Sequence, residues 1–323
     1  MAPAEPGRLR VLVASQFIAP VDAAIRRAFH AHFDPRRDVL AALGATEAPI
    51  DAVFVSLENP LPEEAIRALP GTLRAIATYS VGTDHIDLEA ARSRGLAVFH
   101  TPGVLADAVA ENAFLLMLGA ARRATESIEL LRSGNWRGWS PTQLVGTQLS
   151  GKRLGILGMG DIGLRVARRA RAFDMDVHYC NRRPAAAAVE LGAAHHERPE
   201  SLAAAVDVFL LACPSTPETR GVLGDGLLRA AKPGLIVVNI ARGDLVDDAA
   251  LLAALRDGRV GAAGLDVFAG EPDLHPDYLA LPNVFALPHI GSSTLEARLG
   301  MGNVLIDGIQ AWSRGEHPPN RIC

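Results

Sequence analysis

The chain has 323 residues, of which 49% are hydrophobic and 21% charged, which is enough for two ordinary domains and unlike a disordered sequence. Its net charge of -4 at pH 7 gives no electrostatic reason to bind nucleic acid or an acidic membrane surface. The three cysteines (Cys180, Cys213 and Cys323) are far apart and odd in number. They indicate neither a disulfide framework nor a zinc site, and they fit a reducing cytoplasm.

No targeting or membrane segment is predicted. The first ten residues contain no apolar core of a signal peptide. The longest apolar stretch, Val104–Ala121, contains Asp107, Glu111 and Asn112, which are costly in a bilayer. This stretch is therefore expected to be a buried helix of a cytoplasmic protein.

Short apolar runs alternate with Ala-rich helical stretches, as is typical of α/β proteins with parallel sheets. The first strands are predicted at Leu9–Ala14, Ala52–Val55, Ala75–Thr78 and Ala97–Phe99. Thr101-Pro102-Gly103 then interrupts the chain before the long helix. After a loop over residues 133–153, six more strands are predicted at Leu154–Leu157, Val177–Cys180, Val208–Ala212, Leu235–Ile240, Ala262–Asp266 and Val284–Ala286. The helices between and after them include Ile162–Phe173, Asp247–Arg256 and Ser292–Arg314.

The first motif that carries chemistry is Gly-x-Gly-x-x-Gly, spelled by Gly158, Met159, Gly160, Asp161, Ile162 and Gly163. The motif alone is weak, but here it joins a predicted strand to an amphipathic helix. Its glycines allow a tight turn, close approach of the backbone to a pyrophosphate, and close helix–strand packing. The start of the helix adds free N–H groups and partial positive charge for phosphates. These features predict a dinucleotide site rather than a plain strand–helix turn.

The residues at the end of the next predicted strand indicate whether NAD or NADP is bound. NAD enzymes usually place an acid there for the ribose 2′-hydroxyl, but this chain has Asn181, Arg182 and Arg183. No carboxylate repels a 2′-phosphate, and two planar guanidinium groups can bind it. The alternative is a solvated arginine pair. After a glycine motif at this spacing, the pattern favours NADP, with NAD bound more weakly.

Three polar residues follow the late strands: Arg242, Glu271 and His289. Ligands bind beyond the carboxyl ends of the strands in open α/β sheets, so the three are expected to converge. A histidine can donate a proton at neutral pH, a neighbouring carboxylate favours the imidazolium, and an arginine matches a substrate carboxylate. Each residue alone could be structural. Together, behind a nucleotide motif, they predict reduction of a 2-keto acid.

From about residue 50 onward, the sequence resembles the D-isomer-specific 2-hydroxyacid dehydrogenase family. The matching segments are YSVGTDHID, GILGMGDIG, NIARGDLVD, GLDVFAGEP, LPHIGSST and PPNRI. The resemblance places the family's catalytic residues on Arg242, Glu271 and His289. It implies substrate contacts from Leu57 and from the anion-binding loop at Ser80, Val81 and Gly82. It also implies cofactor contacts from Cys213, Pro214, Thr219, Ile240, Ala241, Asp266, Gly291 and Ser292.

The fold implied by the resemblance has two Rossmann-like, doubly wound parallel-sheet domains with the active site in the cleft between them. The substrate-binding domain is expected over residues 1–102 and 291–323, around a dinucleotide-binding domain at 103–290, in a homodimer. Asn181-Arg182-Arg183 and Trp139 most resemble the glyoxylate/hydroxypyruvate reductases. In those enzymes the equivalent tryptophan limits the partner subunit's substrate pocket. The alternative is a Trp139 packed within its own loop.

Two departures from the family pattern affect the cofactor site. Members often have Arg where this chain has Asp161, and an acid beside the pyrophosphate is expected to weaken binding. Val109 replaces a threonine common near the nicotinamide.

Three alternative functions remain open at this point. They are reduction of bulkier acids such as phenylpyruvate, a related oxidoreductase activity on phosphoglycerate, formate or phosphite, and nucleotide sensing by a binding protein. No metal site is expected, and the pairs His195/His196 and His30/His32 are interpreted as surface residues.

Overall fold

Strands and helices alternate along residues 8–323, the part of the chain that the computed structural model describes. In chain order they are β1 (Arg10–Val13), α1 (Ala19–Ala28), β2 (His30–Phe33), α2 (Val39–Gly44), β3 (Ala52–Val55), α3 (Glu63–Ala68), β4 (Ala75–Thr78), α4 (Leu88–Ser93), β5 (Ala97–Phe99), α5 (Ala106–Ala121), α6 (Ala124–Arg132), β6 (Arg153–Leu157), α7 (Asp161–Ala172), β7 (Asp176–Cys180), α8 (Ala186–Glu190), β8 (Ala194–His196), α9 (Pro199–Ala205), β9 (Val208–Leu211), α10 (Asp225–Ala230), β10 (Leu235–Asn239), α11 (Asp248–Asp257), β11 (Val260–Leu265), α12 (Asp277–Ala280), β12 (Val284–Ala286) and α13 (Leu295–Ser313). A short 3-10 helix, Gly243–Leu245, lies between β10 and α11.

Local sequence explains where many of these helices begin. The side chains of Asp38, Asp87, Asp247 and Thr294 each accept a hydrogen bond from the backbone N–H three residues later, which caps α2, α4, α11 and α13. Proline occupies the first turn of α1 and α9, where its missing N–H costs nothing. The loops before these helices therefore end at defined residues.

The first sheet has the strand order β2-β1-β3-β4-β5, with every pairing parallel. All residues of β3 and β4 are buried, which explains why their apolar runs were recognisable in the sequence. Strand β2 was not predicted. It is an edge strand with the sequence His-Ala-His-Phe, and none of its residues is fully buried, so it has no apolar run to signal it.

The second sheet is also fully parallel and has the order β12-β11-β10-β9-β6-β7-β8. Each of the six predicted strands is present, and the two-sheet α/β fold class is confirmed. Successive strands run outward on both sides of β6 and β9, so the chain order reverses between these two strands. A reversal point of this kind is where open α/β sheets bind ligands at the carboxyl ends of their strands.

The seventh strand of this sheet, β8, corrects the interpretation of a histidine pair. His195 and His196 are half-buried strand residues rather than free surface side chains, and they lie opposite Tyr179 and Cys180 of β7. The imidazole nitrogens of His196 and His178 are 2.9 Å apart. Polar residues on an edge strand do not produce the apolar pattern from which a strand is predicted.

The chain divides into two compact units, one with residues up to Leu105 together with Ser293–Cys323, the other with Ala106–Ser292. In the first unit, α13 packs against α1 and against strands β4 and β5. Gly302 permits this, because a Cβ there would lie 2.7 Å from the methyl groups of Val21. In the second unit, α5 packs on α7, β10 and β11, with most of its residues buried. Across residues 8–323, no helix is both long and apolar enough to cross a membrane.

Candidate active site and cofactor site

Apart from Trp139, the predicted functional residues of the second unit follow the carboxyl ends of six of its seven parallel strands. The glycine loop follows β6, and Asn181 to Arg183 follow β7. Cys213 to Thr219 follow β9, and Ile240 to Arg242 follow β10. The loops after β11 and β12 carry the remaining residues, which are Asp266, Glu271, His289, Gly291 and Ser292. Because all strands are parallel, these loops lie along one edge of the sheet.

The glycine loop has the geometry that a dinucleotide site requires. Gly158 has a φ of +103°, and a Cβ there would lie 2.5 Å from the backbone nitrogen of Cys213. A Cβ on Gly163 would lie 2.4 Å from the carbonyl oxygen of Gly158. Gly160, by contrast, faces open space, which leaves its backbone accessible at the start of α7. Two glycines therefore hold the turn, and the third exposes the helix N-terminus where phosphates bind.

Asn181 connects the end of β7 to this loop. Its side-chain oxygen accepts a hydrogen bond of 2.8 Å from the backbone N–H of Met159. Its backbone carbonyl is 3.1 Å from the Nε2 atom of His195. Arg182 and Arg183 follow directly and are exposed. The segment is thus anchored at Asn181 and presents two cationic side chains to solvent.

The remaining predicted cofactor residues line the same edge. Cys213 and Ile240 are buried, while Ala241 and Ser292 are half-buried. The Thr219 hydroxyl donates a hydrogen bond of 2.8 Å to the carbonyl of Pro214, so it shapes the loop after β9. Burial raises the pKa of the Cys213 thiol to about 11, which keeps it neutral.

His289 and Glu271 form a direct pair, with 2.7 Å between Nδ1 and Oε2. The other oxygen of Glu271 accepts a hydrogen bond of 2.7 Å from the backbone N–H of Phe268. Burial raises the pKa of Glu271, but the hydrogen bonds from His289 and Phe268 outweigh it, and the net pKa lies below its ordinary value. The carboxylate therefore stays ionised and can stabilise a protonated imidazole.

The loop that carries His289 is held by Asp266, which is 2% exposed. Its carboxylate oxygens accept hydrogen bonds of 2.8 Å from the backbone N–H groups of Ile290 and Gly291. Its backbone carbonyl accepts another from the N–H of His289. Burial raises the pKa of Asp266, and these N–H groups partly oppose that rise. His289 has a φ of +53°, a backbone conformation rare for non-glycine residues, and this bonding stabilises it.

Arg242 lies in a turn whose support was not predicted from the sequence. Asn239, fully buried at the end of β10, donates to the Arg242 carbonyl at 2.8 Å and accepts from the Ala241 N–H at 3.0 Å. A Cβ on Gly243 would lie 1.8 Å from the carbonyl carbon of Phe268, so the missing side chain lets this turn contact the loop of Glu271. The charge of Arg242 contributes to the lowered pKa of Glu271. A polar residue ending the apolar run Leu-Ile-Val-Val was the available signal for Asn239.

The predicted substrate loop lies in the first unit, after β4. A chain of hydrogen bonds runs from His85 Nε2 to Thr78 Oγ1 (2.8 Å), to Ser80 Oγ (2.8 Å) and to the Gly82 carbonyl (2.7 Å). The carbonyl can only accept, so Ser80 donates to it and Thr78 donates to Ser80. These three hydrogen bonds therefore fix the conformation of the loop. Val81 in this loop is 37% exposed, and Leu57, after β3, is 38% exposed.

The segment after α6 exposes much apolar surface. Trp139 is 84% exposed and does not pack within its own loop. The side chains of α6 itself are never fully buried. Among residues 8–323, no group of three His, Cys, Asp or Glu side chains is placed to hold a metal ion.

Comparisons with known proteins place this geometry in a family. The sequence model described as "D-isomer specific 2-hydroxyacid dehydrogenase, NAD binding domain" matches residues 114–291. A glycerate dehydrogenase of Hyphomicrobium methylovorum is 42% identical over 87% of this chain and 88% of its own. A glyoxylate reductase of Thermococcus litoralis is 40% identical over 90% of this chain and 88% of its own.

A solved structure extends the likeness to the whole fold. The NADPH-dependent glyoxylate/hydroxypyruvate reductase of Sinorhizobium meliloti, in complex with NADP and malonate, is 32% identical. It superimposes with a TM-score of 0.88 over 98% of this chain and 97% of its own. Both sheets and the loops that follow their strands are covered by this match.

Proposed function

The chain belongs to the D-isomer-specific 2-hydroxyacid dehydrogenase family, and from this premise we propose that it reduces a small 2-keto acid of the glyoxylate/hydroxypyruvate type to its D-2-hydroxy acid, using NADPH. The observation that carries the proposal is the pair of His289 and Glu271, joined at 2.7 Å beside the carboxyl edge of a dinucleotide-binding sheet. Such a pair suits proton transfer to a carbonyl oxygen.

Each residue of the site has a distinct part in the reaction. The dinucleotide, when bound, supplies the hydride that reduces the carbonyl carbon. His289 holds the proton that the carbonyl oxygen takes up, and Glu271 stabilises the charged imidazole. Arg242 binds the substrate carboxylate through its guanidinium fork. In the loop after β4, Val81 and Gly82 can offer backbone N–H groups to a carboxylate, whereas the N–H of Ser80 is donated to the Thr78 carbonyl at 2.8 Å, which corrects its predicted role as a backbone donor.

The reaction is tested by following NADPH oxidation with glyoxylate, hydroxypyruvate, pyruvate and phenylpyruvate. We expect glyoxylate and hydroxypyruvate to be preferred. His289→Ala should lower kcat by about 10²–10⁴, the usual share of general acid catalysis. His275→Ala is the matched control, because His275 is an exposed histidine four residues from Glu271 and should leave kcat unchanged. Equal losses in both variants, or no turnover of any keto acid by the wild type, would contradict the proposal.

The preference for NADPH rests on Arg182 and Arg183, which are exposed beside Asn181 and can contact a 2′-phosphate. A hydrogen bond to a charged group contributes about 1.5–3 kcal/mol, but water and salt screen an exposed site. We therefore expect kcat/KM to favour NADPH over NADH by about 10²–10³. The complex of the Sinorhizobium meliloti reductase with NADP supports this assignment.

Replacing Arg182 and Arg183 with alanine should remove most of this preference by raising the KM for NADPH, with little effect on NADH. Adding Asn181→Asp should then favour NADH, because the new carboxylate repels the phosphate. An aspartate can still accept the hydrogen bond from Met159, so the glycine loop is retained. Arg229→Ala, an exposed arginine far along the sequence, controls for net charge. Equal efficiency of the wild type with both cofactors at moderate salt would refute the preference.

A homodimer is part of the proposal. The segment from α6 onward exposes Ile128 (42%), Leu131 (62%), Trp136 (50%), Trp139 (84%) and Val145 (67%). Exposed apolar side chains of this size suit burial against a second copy of the chain. Sedimentation equilibrium tests this directly, and a monomer at micromolar concentration would contradict it. In the dimer, Trp139 would limit the substrate pocket of the partner subunit.

A further inference from the structure

The acid at the start of α7 has a basic partner one turn further along the same helix. Asp161 is the first residue of the helix, directly after Gly160, and its side chain is 54% exposed. A carboxylate at this position competes with a bound phosphate for the same N–H groups and repels its charge. In the structure, Asp161 Oδ1 accepts a hydrogen bond of 3.1 Å from Nε of Arg165. Because Arg165 lies one turn further along α7, it draws the carboxylate along the helix surface.

Arg165 is itself held in place from a second direction. Its Nη1 atom is 2.5 Å from Oδ2 of Asp107 on α5, and its side chain is only 27% exposed. Arg169, one turn later, contacts the other oxygen of Asp107 at 2.9 Å and Glu111 at 3.4 Å. The hydrogen bonds from both arginines hold the pKa of Asp107 below its ordinary value. The two arginines thus share an anchor on α5, and Arg165 also contacts Asp161.

We propose that Arg165 is a positioning residue of the cofactor site: it neutralises Asp161 and keeps its carboxylate away from the N–H groups that bind the pyrophosphate. The role rests on the dinucleotide-binding part of the proposed function, and it is independent of the keto acid. This chain has an acid at the first position of α7 and places a compensating guanidinium four residues later. It follows that Arg165 matters for cofactor affinity only while residue 161 is acidic.

The size of the effect follows from screened repulsion. Two unit charges about 6 Å apart change affinity by about threefold at the dielectric constant of water and by about a hundredfold at the lower effective value near a protein surface. Asp161 is 54% exposed, so the effect should lie toward the weaker limit, at about five- to tenfold. Losing Arg165 exposes a bound pyrophosphate to this repulsion. The pyrophosphate is common to both dinucleotides, so NADPH and NADH should be affected alike. This distinguishes Arg165 from Arg182 and Arg183, whose effect is specific to NADPH.

The experiment measures the Kd values of NADPH and NADH by isothermal titration calorimetry without any keto acid. Four variants are compared with the wild type: Arg165→Gln, Arg169→Gln, Asp161→Asn and Asp161→Asn combined with Arg165→Gln. Arg169→Gln is the matched control, since it also loses a bond to Asp107 on α5 but leaves the partner of Asp161 in place. Thermal unfolding without nucleotide reports the loss of helix packing in each variant.

We expect Arg165→Gln to raise both Kd values about five- to tenfold and Arg169→Gln to change them less than about twofold. In the Asp161→Asn background, Arg165→Gln should have almost no further effect. Equal increases in the Kd values for Arg165→Gln and Arg169→Gln would overturn the role. An effect of Arg165→Gln that is as large in the Asp161→Asn background as in the wild type would also overturn it. If the wild type bound neither dinucleotide, this role and the proposed function would both fail. Binding without turnover of any keto acid would remove only the latter.

Discussion

The sharpest test of the site is the replacement Glu271→Gln. The glutamine can keep the hydrogen bond from the Phe268 N–H, so the loop should retain its shape. What is lost is the negative charge 2.7 Å from Nδ1 of His289. A hydrogen bond between charged groups contributes about 1.5–3 kcal/mol. The His289 and Glu271 side chains are 33% and 34% exposed, so solvent screening reduces this contribution to about 1 kcal/mol.

This energy corresponds to about a fivefold lower kcat/KM at high pH. The carboxylate favours the protonated imidazole, and the reduction requires that protonated form. The basic limb of the reduction profile should therefore move to lower pH in Glu271→Gln. The assay is kcat/KM for glyoxylate with saturating NADPH, from about pH 6 to about pH 9.5. Because the pKa of Glu271 is lowered, the wild-type carboxylate is ionised across this whole range.

Asp273→Asn controls for a general change in charge, since Asp273 is an exposed acid two residues away. Its profile should coincide with that of the wild type. A basic limb that stays in place in Glu271→Gln, or moves to higher pH, would refute the role of the pair. A fall in kcat without a shift would mean that Glu271 orients His289 but does not set its charge.

Two further predictions follow from other parts of the chain. If Trp139 limits the partner subunit's substrate pocket, as proposed, Trp139→Ala should improve phenylpyruvate relative to glyoxylate, measured by kcat/KM; an equal loss on both substrates would contradict this. Burial lowers the pKa values of His178 and His196 in the folded chain, and a neighbouring imidazole adds to this, namely His196 beside His178 and His195 beside His196. Their contribution to stability is therefore present above the ordinary histidine range and is lost as pH falls through it. The free energy of unfolding in urea should drop more between about pH 7 and about pH 5 for the wild type than for His196→Gln, and equal slopes would argue against the pair as its source.

Many strands and the glycine motif could be predicted from the sequence because the patterns that indicate them are local. Buried parallel strands such as β3 and β4 form continuous apolar runs, so their positions were predicted within a residue or two. The geometry of the glycine motif after β6 could be predicted from the sequence, because glycine is the residue that tolerates the φ of Gly158 and the short distance from Gly163 to the carbonyl oxygen of Gly158. The family motifs then identified the residues at the strand ends.

The tertiary structure decided what depends on contacts between distant segments. The edge strands β2 and β8 carry no apolar run, since one face and one edge of such strands meet water. The chain order gave no sign that Asp266 would bind the backbone beside His289, more than twenty residues away. Nor did it show that Asp107 on α5 would hold Arg165, the residue that pairs with Asp161 one turn along α7. Hydrogen bonds and ion pairs between elements depend on how those elements pack. The order of residues along the sequence does not specify that packing.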